Sequence, residues 1–73
     1  MKVKIRLDTL SQVHEFVRNI ECLDAKIRIC DNEGHCVNGK SVIGMMYALA
    51  EFEELWCTSD KDIYHAIYPF VVY

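Results

Sequence analysis

The sequence predicts one α+β domain, an antiparallel sheet with helices gathered on one face. Three observations carry that reading. Residues 3–7 and 25–30 alternate apolar with charged or polar side chains, the period of a strand with one buried face. Between them Val13, Phe16, Val17 and Ile20 recur at i, i+3, i+4 and i+7, the stripe of an amphipathic helix. Turn-forming residues separate the segments, with no repeat, low-complexity stretch or linker. Strands that are apolar on one face only suit an antiparallel sheet covered on that face.

The first strand sets Val3, Ile5 and Leu7 against Lys4 and Arg6. Thr9 and Gln12 have the spacing of a capping box, in which each side chain satisfies an orphan amide of the other residue; Ser11 is a rival cap. The first helix is expected over 10–22. The second strand sets Ala25, Ile27 and Ile29 against Lys26, Arg28 and Cys30. Asp31-Asn32-Glu33-Gly34 supplies turn residues, and His35-Cys36-Val37 returns as the other arm of a hairpin. Asn38-Gly39 turns the chain again.

Residues 40–49 form a second helix that is apolar nearly all round, with Val42, Ile43, Met45, Met46 and Leu49. One side must face the core, and another is left as an exposed patch of the kind that meets partners. Residues 53–57 read as the fourth strand. Thr58, Ser59 and Asp60 are candidate caps for a last helix. Pro69 keeps that helix short, because proline removes a hydrogen bond and clashes with the preceding turn. Phe70 to Tyr73 form an apolar tail that must pack. The expected order is β-α-β-β-α-β-α, in one domain over residues 1–73.

Composition narrows the function. The chain has 73 residues, of which 52% are hydrophobic, so disorder is excluded. It carries 8 Lys and Arg against 11 Asp and Glu, a net charge of −3. A binder of nucleic-acid phosphates needs a surplus of cations, so no nucleic-acid partner is expected. No apolar run approaches the about 20 residues that span a bilayer, and the charged alternation at the start is not a signal peptide. A cytoplasmic protein is the expectation, with no membrane partner. Cys22, Cys30, Cys36 and Cys57 are then expected to be reduced, structural thiols.

Gly39-Lys40-Ser41-Val42-Ile43-Gly44-Met45-Met46 is the most specific segment. It resembles the Lys-Ser-Ile-Met-Gly-Val-Met type of segment that opens the second helix of HPr, the phosphocarrier of the bacterial sugar phosphotransferase system. The Ser, the Gly three residues on and the Met two beyond that coincide, and the order of elements agrees. The resemblance implies a βαββαβα open-faced sandwich with a four-stranded antiparallel sheet. It also implies regulatory phosphorylation at Ser41 and partner binding through Lys40, Val42, Ile43 and Met46. The partners it implies are phosphotransferase enzymes, an HPr kinase or a transcriptional regulator.

The departure from that family matters as much as the match. Its carrier His-Ala-Arg-Pro, at the start of the first helix, is replaced by Asp8-Thr9-Leu10-Ser11-Gln12. A carrier needs an imidazole nucleophile beside a cation and free helix amides. His14 is a weak alternative phosphoryl acceptor; its bland reading is a surface helical histidine. The expectation is a regulatory or adaptor protein, not an enzyme, with no cofactor. The alternatives are an atypical carrier using His14, or a structural, oligomerising module. The chain is expected to be a monomer or weak homo-oligomer.

Three further patterns carry little. Cys30, His35 and Cys36 are soft donors near one turn, but a structural zinc site wants four ligands, so no metal is expected. Gly34 to Ser41 has the spacing of a phosphate-binding loop, yet it lies in a hairpin rather than between a parallel strand and a helix. Trp56, Tyr64, Tyr68 and Tyr73 lie on different elements without interleaved cations, which suits packing and not base stacking. Ser41 has its own bland reading, as the N-cap of the second helix.

Overall fold

The computed structural model describes residues 1–72. Its elements are β1 (Lys2–Ile5), α1 (Leu10–Ile20), β2 (Ile27–Cys30), β3 (Cys36–Asn38), α2 (Val42–Glu51), β4 (Leu55–Ser59), α3 (Tyr64–Ile67) and a closing 3-10 turn, Tyr68–Phe70. The architecture is the α+β open-faced sandwich expected from the alternation of the strands. The sheet runs in the order β1-β4-β2-β3, and every neighbouring pair is antiparallel.

Register turns that alternation into two faces. Val3, Cys57, Ile29 and Val37 stand in one row across the sheet, on the inner face. Two outer rows flank it, Lys2-Thr58-Arg28-Asn38 and Lys4-Trp56-Cys30-Cys36. The helices cover the inner face. α1 buries Val13, Phe16, Val17 and Ile20, the four residues of the stripe, and Phe70 meets Phe16 edge to face at 5.5 Å.

Local chemistry sets the element ends. The capping box forms: Thr9 Oγ1 accepts from the Gln12 amide at 3.1 Å, and Gln12 Oε1 accepts from the Thr9 amide at 3.2 Å. Gly34 turns the hairpin with φ 95°, a conformation that a Cβ penalises. Gly39 permits a close approach instead, since a Cβ there would stand 2.8 Å from Cγ2 of Ile27.

Two expectations change, and the packing of the tail is met. β1 ends at Ile5, yet Leu7 stays buried. Residues 70–72 run along the β1 edge, where the Arg6 amide donates to the Phe70 carbonyl (2.8 Å) and the Val72 amide to the Lys4 carbonyl (2.9 Å). The tail is thus seated through Phe70 and Val71; Tyr73 lies outside the described residues. Thr58 and Ser59 do not cap the last helix, because β4 runs through them to pair with β2. Asp60 takes the Lys26 amide (2.9 Å), and Asp62 accepts from Tyr64 at the helix start (3.1 Å).

The cysteines are not all thiols. Cys30 and Cys36 face each other across the β2–β3 ladder with Cα atoms 4.0 Å apart, and they form a disulfide. The hairpin register imposes that meeting. It also consumes the sulfurs that made the hairpin a soft-donor candidate, while His35 Nδ1 sits 2.9 Å from Asp31. Cys22 is free and exposed, and Cys57 is free and buried.

Candidate functional site

Helix α2 is held at its start by a turn built from side chains. Asn38 Oδ1 accepts from the Lys40 amide at 2.9 Å, and the Asn38 carbonyl from the Ser41 amide at 3.1 Å. Ser41 is the N-cap, its Oγ accepting from the Gly44 amide at 3.1 Å. The Lys40 ammonium donates to the Leu23 carbonyl, which ties this turn to the end of α1.

Those tethers fix how the helix is rotated. Met45 and Ala48 are fully buried, and Val42 and Leu49 pack half-buried against the core. The opposite side shows Ile43, 82% exposed, with Met46, Tyr47 and Ala50 also exposed. These four lie at i, i+3, i+4 and i+7, one continuous stripe. Of the residues expected to meet partners, Ile43 and Met46 are on the stripe. Val42 belongs to the core side, and Lys40 spends its ammonium on the backbone. Tyr47 and Ala50 join the stripe unexpectedly; only the rotation identifies them, because in sequence every side of α2 is apolar.

The stripe ends in a shallow cleft of about 270 Å³, where Tyr47 and Phe52 meet Asp31, Glu33, Glu51 and Glu53. The two rings pack edge to face at 6.0 Å. Burial of the Asp31 carboxyl pushes its pKa up, but hydrogen bonds from the His35 ring, the His35 amide and the Glu33 amide outweigh this and hold it below its ordinary value.

Ser41 and His14 lie in different surroundings. Ser41 is half-buried at the positive end of a helix, beside the free amides of the first turn. A phosphate there would meet a favourable field. His14 is exposed on α1. The start of α1 is filled by its own chain: Gln12 Oε1 takes the amides of Asp8 (2.6 Å) and Thr9 (3.2 Å), and the Asp8 carboxylate accepts from Arg6 Nε at 3.1 Å. Among the described residues, no group of three or more His, Cys, Asp or Glu is placed to hold a metal ion. No described helix is long and apolar enough to cross a membrane.

Comparison with family models, with curated proteins and with solved structures gives no match to this chain.

Proposed function

We propose that the chain is an HPr-like regulatory adaptor of the sugar phosphotransferase system that binds other proteins through the outward face of α2. Phosphorylation of Ser41 switches that face, and no histidine carries phosphate. The observation that carries this reading is the stripe of Ile43, Met46, Tyr47 and Ala50 on a helix anchored from behind by Met45 and Ala48. Apolar side chains with a flexible Met suit a face that meets more than one partner. The self-capped start of α1, with its nearby Arg6 paired to Asp8, supports the loss of carrier chemistry. His14 is exposed about a turn inside that helix, with Arg18 one turn further on.

The test is chemical-shift perturbation of labelled protein on adding an HPr kinase without nucleotide. Signals of Ile43, Met46 and Tyr47 are expected to move, and Ile43→Asp is expected to abolish the effect. Perturbation confined to α1 around His14 would favour the atypical carrier. The same stripe also favours self-association as a second reading. A mass in solution that rises with protein concentration, and stays at monomer in Ile43→Asp, would select the oligomerising module.

A further inference from the structure

The outer face of the sheet carries a second surface, of opposite character to α2. Its rows hold Lys2, Lys4 and Arg28 and no carboxylate. Lys26 and Lys40 extend it along a cleft of about 460 Å³ at the β2–β3 edge, floored by Ile27 and Val37. Five of the chain's eight cations therefore lie on one side. Three carboxylates stand at the rim; Asp60 accepts from the Lys26 amide at 2.9 Å, and the other two are engaged as well. Glu54 accepts from Lys4 at 3.4 Å and from the Trp56 indole N–H at 3.2 Å. Asp31 is held by His35 at 2.9 Å. With five cations and three carboxylates, the face carries about +2. The other three cations and eight carboxylates leave the rest at about −5, which closes on the net charge of −3. Such segregation makes a positive potential over one face of an acidic molecule, and that potential attracts anionic surfaces.

We propose that this face docks an extended acidic segment of a partner protein, its carboxylates received by Arg28, Lys26 and Lys2. Arg28 and Lys26 are exposed and make no ion pair among the described residues. The guanidinium fork takes a carboxylate through two parallel hydrogen bonds. Lys40, bound to the Leu23 carbonyl, adds to the field without offering a free contact. A single-stranded nucleic acid fits less well, because it needs successive open rings on which to stack bases. Trp56 is the single aromatic residue of the outer rows, Lys2 stands 5.3 Å from its ring centre, and Glu54 holds its N–H. The face lies across the sheet from the helices, so its occupant leaves the α2 stripe free. The inference does not rest on the reading of α2.

The test uses a fluorescein-labelled peptide alternating Glu and Ser, its Gln-Ser counterpart, and an oligothymidylate of equal length. Binding is followed by anisotropy at low ionic strength, with the emission of the chain's one tryptophan as a second readout. The Glu peptide is expected to bind and to change Trp56 emission, and the Gln peptide to do neither. Arg28→Glu should weaken binding about tenfold, as loss of a charge-assisted hydrogen bond does. Arg18→Glu, the same charge change on the solvent side of α1, should weaken it less than about twofold. Both side chains are exposed, and circular dichroism verifies that both variants fold. No binding of the Glu peptide would overturn the proposal, and so would equal losses in the two variants, which would mean net charge alone. Tighter binding of the oligothymidylate would give the face to nucleic acid instead.

Discussion

Ile43 and Met45 stand two residues apart on α2, one 82% exposed and the other fully buried. Two residues turn a helix through about 200°, so this pair defines its rotation. Met45 anchors the helix to the sheet, and Ile43 leads the stripe that faces away. The Ser41 cap and the Lys40 tether hold the helix in that rotation from its first turn.

Truncating the two residues should therefore have unequal effects. Met45→Ala removes a fully buried side chain and should cost about 2–5 kcal/mol. Ile43→Ser should stay within about 0.5 kcal/mol of the parent, as surface substitutions do. Denaturant midpoints compare them directly. Equal costs would mean that α2 is rotated otherwise.

Ser41 caps α2 in either functional reading. Ser41→Ala should cost about 1 kcal/mol, the usual worth of an N-cap hydroxyl. Ser41→Asp keeps an acceptor for the Gly44 amide and adds negative charge at the positive end of the helix. It should be at least as stable as the parent by thermal unfolding. An Asp variant as unstable as the Ala variant would show that the field at this end does not favour an anion.

The four cysteines should be distinguishable by alkylation and intact mass. Burial pushes the Cys57 thiol up to about 11, so its reactive thiolate is scarce at neutral pH. Cys22 is exposed. The native, unreduced protein should take one alkyl group, the unfolded protein two, and the reduced and unfolded protein four. Reduction should cost about 2 kcal/mol, the chain-entropy value for a short loop, since the bridged residues are 6 apart. Four groups on the unfolded, unreduced protein would mean that Cys30 and Cys36 are not joined.

Acid should act on the hairpin through Asp31. Its folded carboxyl lies below the ordinary value of 3.8, so the folded state binds its proton less readily than the unfolded chain does. The stabilisation is fully present above the unfolded value and is lost as pH falls through the folded one. Asp31→Asn should thus be less stable than the parent at neutral pH. The difference should shrink below the ordinary value, as followed by denaturation at a series of pH values. A difference that does not change with pH would assign the effect to side-chain geometry and not to charge.

Elements with one polar and one apolar side were legible in the sequence. The α1 stripe, its Thr9–Gln12 capping box, the hairpin turn at Gly34 and the inward faces of β1 and β2 all follow from local pattern. The rotation of α2 was not legible, because Val42, Ile43, Met45 and Met46 leave no polar residue to mark the outside. The outward placement of Tyr47 and Ala50 is hidden for the same reason. The Cys30–Cys36 bridge depends on the register of β2 with β3, and nothing in the spacing fixes that register. The basic outer face depends on register across all four strands, which brings Lys2, Thr58 and Arg28 into one row although Lys2 and Arg28 come from opposite sides of α1. Thr58 and Ser59 have residue types that suit helix caps, but pairing with β2 keeps them in the strand.

The most direct measurement on the proposed switch is the intact mass of the protein after incubation with ATP and an HPr kinase, with Ser41→Ala alongside. A gain of one phosphate, lost in the variant, is the expected result. It would make Ser41 a modification site at the start of the docking helix. No gain, with a control HPr fully modified in the same reaction, would contradict a switch at Ser41 and leave that residue a helix cap.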